Sequence, residues 1–184
     1  MNTSSLLALD DVHARLLAAV QPTLLTESVS TFYALGRVLA ADVVSIVDVP
    51  PGDNSAMDGY AMRCADVPVA GTVLPVSQRI PAGVVGEPLQ PGTAARIFTG
   101  AQVPVGADAV VMQEQCEALD GGVRVKRVPE PGLVIRRQGE DMARGRVILS
   151  RGTRLTPQAL GLAATAGAAR LEVARRPRVL VALY

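Results

Sequence analysis

Residues 94–113 of the sequence read AARIFTGAQVPVGADAVVMQ, two short apolar runs separated by turn residues. The runs at 94–98 and 109–113 have the length and the composition of β-strands. Between them, Gly106 and the segment Thr99–Pro104 favour turns, because glycine and proline interrupt regular structure. This alternation of short strands and turns is typical of a β-rich domain.

The same alternation continues on both sides of this stretch, from Ser45 to about Gly145. Further β-runs are predicted at 60–63, 72–80 and 123–128, with turn residues at Gly92, Asp120-Gly121-Gly122 and Pro131-Gly132. Spacings of this kind are typical of an antiparallel barrel or sandwich. We therefore assign this part of the chain to one β-rich domain.

Two helices are predicted outside the β-rich domain. The first covers about Asp10–Gln21, where apolar residues recur at helical spacing until Pro22 ends the pattern. The second begins after Thr156, a good N-cap residue, with Pro157 at the first helical position and small residues over 159–166.

Strands are also predicted on either side of the β-rich domain, at Val43–Val49 and Ala169–Ala174, and residues 27–42 mix a short strand with a short helix. The last apolar run, Val179–Leu183, has the continuous hydrophobicity of a buried parallel strand. A parallel strand needs neighbouring strands and covering helices. We therefore expect this run to begin an α/β domain that continues beyond Tyr184.

Composition limits the classes of function. Hydrophobic residues make up 49% of the chain and aromatic residues 3%, so we expect a core of Val, Leu, Ala and Ile. The net charge of +1 provides no bulk field for nucleic acid or an anionic membrane.

Cys64 and Cys116 lack metal-site spacing and are expected to be free thiols. With no signal peptide and no apolar run of membrane-spanning length, we expect a cytoplasmic protein.

The inventory of catalytic residue types is small. His13 is the only histidine and lies in the first predicted helix, which excludes a serine or cysteine nucleophile with a histidine base. No P-loop, dinucleotide-binding, zinc-protease or nucleophile-elbow motif is present. The chemistry must therefore come from carboxylates, hydroxyls, arginines and glycine-rich turns.

The densest polar cluster is DNSAMDGY, residues 53–60. It places two carboxylates, an amide and a hydroxyl in one turn, which suits a hard cation such as Mg²⁺ shared with substrate phosphates. The same residues also fit a cap followed by a tight Asp58-Gly59 turn with only a structural role. The residues alone leave both interpretations open.

Two further segments offer groups for anions. Thr99–Pro104 follows a strand and has a hydroxyl and backbone amides of the kind that bind anions, although a Thr-Gly pair at the end of a strand is usually only a turn. Arg136–Asp141 combines two guanidinium groups with Asp141, which can orient them or hold a metal. The alternative for this segment is a solvated surface turn with weak ion pairs.

Taken together, these segments resemble the molybdopterin molybdenumtransferase family, whose eukaryotic relatives include the E domain of gephyrin. The resemblance runs from about Leu9 to Leu183. It is carried, in order, by LGRVLA (35–40), DVP (48–50), DNSAMDGYA (53–61), RIFTGA (96–101), GADAVVMQE (106–114), RQGED (137–141) and GTRL (152–155).

The resemblance implies an α+β fold that is mostly β. An amino-terminal helix, residues 1–25, would precede a discontinuous α/β linker domain. That linker domain would consist of residues 26–44 and 146–176, with residues 45–145 inserted into it as the β-rich domain. Residues 177–184 would form the first strand of an α/β domain of which the rest is missing.

The resemblance also implies a function. Members of the family insert molybdenum from molybdate into adenylylated molybdopterin, with release of AMP in a Mg²⁺-dependent step, and they act as elongated homodimers. By position, Asp58 would place the metal or substrate, Thr99 would hydrogen-bond an oxyanion, and Asp141 would be a further functional carboxylate. Substrate contacts would come from Asn54, Ser55, Gly100 and Arg137.

An alternative from a different class is a non-catalytic dimerisation or scaffold module, or a decayed gene product, of the same family. The retained acidic segments around Asp58 and Asp141 favour an enzyme, because a scaffold has no need of them. We expect this polypeptide alone to be inactive, because the rest of the α/β domain would supply much of the shared site.

Overall fold

The computed structural model describes residues 7–19, 25–178 and 181. The chain divides into two compact units. The sheet unit comprises residues 44–146, and the flanking unit comprises residues 1–43 and 147–184. The fold is α+β and mostly β, as predicted.

The helices are α1 (Leu9–Ala19) and α2 (Pro157–Thr165). The strands, in chain order, are β1 (Thr26–Ser30), β2 (Val43–Val44), β3 (Asn54–Ser55), β4 (Gly59–Met62), β5 (Val73–Ile80), β6 (Ala94–Ile97), β7 (Ala109–Met112), β8 (Cys116–Leu119), β9 (Gly122–Val125), β10 (Ile135–Arg136), β11 (Val147–Leu149) and β12 (Arg170–Ala174). Short 3₁₀ helices lie at Thr31–Tyr33, Cys64–Asp66 and Gln113–Gln115.

The sheet unit contains a six-stranded sheet in the order β7-β4-β6-β5-β9-β8. All neighbouring pairs are antiparallel except β5 and β6, which run parallel. The prediction of an antiparallel arrangement is therefore wrong for the β5–β6 pair. The connection over residues 81–93 runs back along the sheet, and the Gln78 amide holds it by donating to Glu87 O (2.7 Å) and accepting from Glu87 N (3.0 Å).

Both faces of this sheet bury apolar side chains. Along β4, Tyr60 and Met62 belong to one hydrophobic cluster and Ala61 to another, as expected because successive side chains point to opposite faces. Val111 lies on the Tyr60 side and Val110 on the Ala61 side. The small and β-branched residues predicted from composition therefore form the core.

The flanking unit has its own core around Leu39, Leu155 and Val173. In it, β1 pairs antiparallel with β12. Thr156 caps α2 as predicted, since its Oγ1 accepts a hydrogen bond from Ala159 N (3.2 Å).

Helix α1 has no buried residues, and His13 is exposed on it. No helix among the described residues is both long and apolar enough to cross a membrane. The predicted end of the first helix at Gln21 and Pro22 lies outside the described residues. So does the predicted strand Val179–Leu183, of which only Val181 is described.

The predicted strand Val43–Val49 is wrong beyond Val44. Ser45 N donates to Arg146 O (2.9 Å), and the Ser45 hydroxyl donates to Val47 O (2.7 Å). The side chain thus folds the chain into a turn instead of an extended strand.

Candidate functional site

The three polar segments meet around β3 in the sheet unit. On one side, β10 pairs antiparallel with β3, so that Arg136 lies opposite Asn54. On the other, Asn54 forms a β-bridge with Gln102. The short strand therefore brings residues 53–60, 99–104 and 136–141 together although they are far apart in sequence.

Asp58 and Thr99 are in direct contact. The Asp58 Oδ1 atom accepts hydrogen bonds from Thr99 N (2.8 Å) and Thr99 Oγ1 (2.7 Å). The Thr99 amide, and then its hydroxyl, lower the pKa of the Asp58 carboxyl. Asp58 is therefore an oriented, ionised carboxylate whose Oδ2 makes no hydrogen bond with a described residue.

The backbone around Asp58 is tightly packed. Ser55 is 1% exposed, and its hydroxyl donates to Met57 O (2.6 Å). After Asp58 the chain passes so close to β7 that a Cβ atom on Gly59 would lie 2.1 Å from Val111 O. Ser55 therefore holds this turn, and its predicted contact with substrate stays a prediction.

In the second segment, the backbone amides of Thr99 and Gly100 are not free. Thr99 N donates to Asp58, and Gly100 N donates to Ser55 O (2.8 Å). The expectation of accessible amides is therefore wrong for these two residues. The Thr99 hydroxyl proton is likewise committed to Asp58, so in this structure Thr99 acts on the carboxylate and has no proton to donate to an oxyanion.

A small cavity of about 160 Å³ lies beside this pair of segments. It is lined by Pro51, Gly52, Asn54, Gly100 and Gln102. The Asn54 Oδ1 atom is buried and has no hydrogen-bond partner, which is costly unless a donor occupies the cavity. Asn54 and Gly100, both predicted to contact substrate, thus line a space with an unsatisfied acceptor.

In the third segment, Asp141 pairs with Arg136. The Arg136 Nη2 atom lies 2.6 Å from both carboxylate oxygens of Asp141, and Arg136 Nε lies 3.5 Å from Glu140 Oε1. The Asp141 hydrogen bond raises the pKa of Arg136. Asp141 therefore orients a guanidinium group, one of the two roles considered for it.

Arg137 pairs with Asp53. Its Nη1 atom lies 2.6 Å from Asp53 Oδ2, and Gln138 N donates to Asp53 Oδ1 (2.9 Å). The Gln138 amide, followed by Arg137, lowers the pKa of Asp53 against the opposing effect of burial. The Arg137 side chain remains 58% exposed, so it is open to an external anion.

Asp48 belongs to this network and was missed. It accepts hydrogen bonds from Arg144 N (2.8 Å) and Gln138 Nε2 (2.9 Å), and these two groups lower its pKa in that order. Its partners lie about 90 residues later in the chain. Nothing in the local sequence indicates such long-range pairing.

A metal would find few ligands in this part of the protein. Among the described residues, no group of three or more His, Cys, Asp or Glu side chains could hold an ion. Both Asp141 oxygens face Arg136, whereas Asp58 Oδ2 makes no hydrogen bond with a described residue. The structure therefore fits only a shared Mg²⁺ site in which Asp58 is one ligand and substrate oxygens are others.

The chain is similar to known proteins along most of its length. Residues 7–167 match the profile of the family described as the MoeA N-terminal region (domain I and II). Molybdopterin molybdenumtransferase 2 of Mycobacterium tuberculosis is 46% identical over 177 residues, which are 92% of this chain and 43% of that protein. The molybdopterin molybdenumtransferase of Haemophilus influenzae is 37% identical over 175 residues, 95% of this chain and 43% of that protein.

A solved structure agrees with the sequence comparison. The crystal structure of the molybdopterin biosynthesis moeA protein from Pyrococcus horikoshii superposes with a TM-score of 0.82 at 37% sequence identity. The match covers 89% of this chain and 45% of that one. The chain thus spans less than half the length of the relatives it matches.

Proposed function

The chain belongs to the MoeA family of molybdopterin molybdenumtransferases, whose amino-terminal region it matches, and from this membership we propose that it acts in molybdenum cofactor biosynthesis. We infer that it is the amino-terminal part of an enzyme that inserts molybdenum from molybdate into adenylylated molybdopterin with release of AMP. The names of relatives at 46% and 37% identity support this proposal. The observation that carries it at the level of residues is the Asp58–Thr99 pair.

In the proposed mechanism, Asp58 is the metal-facing and substrate-facing carboxylate. Thr99 lowers the pKa of this carboxyl and fixes its orientation, leaving Oδ2 without a hydrogen bond to a described residue. Bound Mg²⁺ would neutralise charge on the phosphate oxygens of the substrate. Thr99 is thus a positioning residue. Because the carboxylate is already fixed, it does not have to reorganise when the substrate binds, and this favours the reaction.

The arginines of the third segment are proposed to meet the anionic substrate. Arg137 pairs with Asp53 at an exposed position, where such a pair contributes little to stability. A substrate phosphate can therefore compete with Asp53 for the guanidinium group at small cost. Asp141 orients the neighbouring guanidinium group of Arg136. The Oδ1 atom of Asn54 can accept a hydrogen bond from a hydroxyl or amino group of the substrate.

The site is proposed to be complete only with further protein. Asp58 is a single carboxylate, and metal-dependent phosphate chemistry uses several ligands and charges held together. We therefore propose that a homodimer partner and an additional α/β domain complete the cleft. The 184-residue chain alone is expected to release no AMP from adenylylated molybdopterin.

The test uses a chimera in which this chain replaces the matching segment of the Mycobacterium tuberculosis relative. The chimera is expected to insert molybdenum, and Asp58→Asn is expected to lower the rate at least about tenfold. Thr99→Val should lower it as well, whereas Thr99→Ser, which keeps the hydroxyl, should retain most activity. Asp120→Asn, a change in the exposed β8–β9 turn, is the control.

Two outcomes would contradict the proposal. A folded but inactive chimera would show that this chain cannot serve as the amino-terminal part of the enzyme. Unchanged activity in Asp58→Asn would remove the role of the carboxylate and would favour the scaffold interpretation.

A further inference from the structure

Two arginines of the sheet unit stack on one aromatic ring. The Cζ atom of Arg79 lies 4.6 Å from the centre of the Phe98 ring, and that of Arg96 lies 4.4 Å from it. The Arg96 Cζ atom also lies 5.2 Å from the centre of the Tyr60 ring. Two positive charges are therefore held near each other by their contacts with aromatic rings.

Neither arginine forms an ion pair with a carboxylate of the described residues, although the charge of Arg96, after the Thr99 amide and hydroxyl, contributes to lowering the pKa of the Asp58 carboxyl. Arg96 donates to three neutral acceptors, which are Gly59 O (2.8 Å), Ile97 O (3.1 Å) and Gln113 Oε1 (2.6 Å). Arg79 makes no ion pair and no hydrogen bond through its side chain with any described residue. Like charges repel, so this arrangement is most favourable when an anion lies between or beside them.

These arginines open onto a cavity of about 450 Å³, a volume within the range of small-molecule sites. It is lined by Tyr60, Ser77, Arg79 and Arg96 from strands β4, β5 and β6, and by residues of the β8–β9 hairpin, including Leu119. None of the residues that line it is acidic.

The Tyr60 hydroxyl is a further group available to a ligand. Tyr60 is 8% exposed and lines the cavity, and its hydroxyl makes no hydrogen bond with a described residue. The hydroxyl is not among the fully buried polar atoms that lack a partner, so part of it remains accessible. It can therefore donate a hydrogen bond to an oxyanion in the cavity.

We propose that this cavity is a binding site for a tetrahedral oxyanion, with Arg79 and Arg96 providing the charge and the Tyr60 hydroxyl a hydrogen bond. The ligand is either a free inorganic oxyanion or the phosphate of a small organic ester, in which case the organic group lies against Leu119 of the β8–β9 hairpin. Neither Asp58 nor Thr99 lines this cavity, and the inference goes beyond the function proposed above, on which it does not depend.

The test is a titration of the isotopically labelled protein followed by amide chemical shifts. Inorganic phosphate is added in one series and phenyl phosphate in another, with sodium chloride at matched ionic strength as the reference. Saturable shifts confined to strands β4, β5 and β6 and to the β8–β9 hairpin are expected for both phosphates. Tighter binding of phenyl phosphate would identify an ester as the ligand, and equal affinity would identify the free oxyanion.

Three variants decide whether the cavity is responsible. Arg79→Gln is expected to weaken phosphate binding by about tenfold, the effect of one charge-assisted hydrogen bond, and Tyr60→Phe by several fold. Both should leave the fold intact, because neither the Arg79 guanidinium nor the Tyr60 hydroxyl makes a hydrogen bond or an ion pair with a described residue. Arg154→Gln, an exposed arginine of the flanking unit, is the matched control and should bind as the unaltered protein does.

The proposal is overturned if phosphate and chloride produce the same shifts, or if Arg154→Gln weakens binding as much as Arg79→Gln. Binding that survives both cavity variants unchanged would also overturn it. Since neither AMP release nor molybdenum insertion is measured, these results are independent of the enzymatic proposal.

Discussion

At Gly59, one hydrogen atom in place of a side chain lets strand β4 approach β7. A Cβ atom at this position would lie 2.1 Å from Val111 O and 2.9 Å from Val111 C. Backbone atoms within a paired sheet cannot move aside without loss of hydrogen bonds. The residue that follows Asp58 is therefore restricted to glycine by packing alone.

We expect Gly59→Ala to reduce the free energy of unfolding by more than about 2 kcal/mol, since the strands must separate to admit the methyl group. Urea denaturation followed by circular dichroism measures the change. Gly52→Ala is the control, because its Cβ atom would make only ordinary contact with Gln102, at 3.5 Å. Equal stability of the two variants would disprove the steric argument.

Both cysteines are expected to react slowly. Burial, with a further contribution from the Asp108 carboxylate, raises the pKa of Cys64 to about 12, and burial raises that of Cys116 to about 11. At pH 8 the reactive thiolate is therefore scarce in the folded protein. Iodoacetamide should modify both thiols far more slowly in the native protein than in urea.

A variant isolates the contribution of the carboxylate. Asp108→Asn removes the charge beside Cys64 and should speed the alkylation of this residue, while Cys116 keeps its rate. Mass spectrometry of the modified peptides distinguishes the two sites. Native alkylation as fast as in urea would contradict the raised pKa values.

The candidate site shows how far residue types alone predict chemistry. The sequence singled out Asp58 and Thr99 separately, because each lies in a polar turn next to a strand. Their contact joins residues 41 positions apart and follows from sheet pairing, which local patterns do not encode. Ser55 shows the opposite case. A serine in a polar turn is expected to be accessible to a ligand, but the Ser55 hydroxyl donates a hydrogen bond to Met57 O within the turn.

At the scale of elements, individual strands were easier to predict than their arrangement. The runs at 94–98 and 109–113 correspond to β6 and β7 within one residue at their ends. Strand β8 was missed, because the sequence Cys116-Glu117-Ala118-Leu119 contains no β-branched or aromatic residue. It is a strand because β9 pairs with it across a tight turn, which is a tertiary effect.

The loops around β3 form an acid-sensitive element. Asp48, Asp53 and Asp58 all have lowered pKa values, chiefly because backbone amides donate to them. Groups whose pKa is lowered on folding stabilise the protein above their unfolded pKa of about 4, and this stabilisation is lost as the pH falls through the lower folded values.

We therefore expect the thermal midpoint of the sheet unit to change little between about pH 7 and 5 and to fall below about pH 4. Asp48→Asn should lower the midpoint at neutral pH but make the acid-induced fall smaller, because one linked carboxylate is gone. Asp120→Asn, which removes a carboxylate without hydrogen bonds to described residues, should follow the unaltered protein. If the thermal midpoint of Asp48→Asn fell with pH as steeply as that of the unaltered protein, the lowered pKa assigned to Asp48 would be contradicted.

At the scale of the whole molecule, each compact unit contains its own hydrophobic clusters. The two clusters of the sheet unit lie entirely within residues 44–146. The flanking unit is built from both ends of the chain around a third cluster. Local patterns predicted a β-rich segment between these ends, but the contacts that close each core connect distant residues and are visible only in the structure.

We expect residues 44–146 produced alone to fold, since this segment retains both clusters and the whole six-stranded sheet. The amide spectrum of the fragment should match the corresponding signals of the intact chain, apart from residues near its new ends. A fragment covering only 44–119, which lacks β9 and β10, is the negative control. A disordered 44–146 fragment would show that the sheet unit depends on the rest of the chain.

The two ends of the sheet unit meet. Ser45 N donates to Arg146 O (2.9 Å), and Gly145 N donates to Ser45 O (2.8 Å), so the polypeptide enters and leaves the unit at one point. Such a segment can be acquired, exchanged or lost by recombination between genes, because a host protein needs only to open one surface loop to receive it. The same property makes the segment suitable for grafting into an unrelated carrier, where its anion chemistry can be studied apart from its native surroundings.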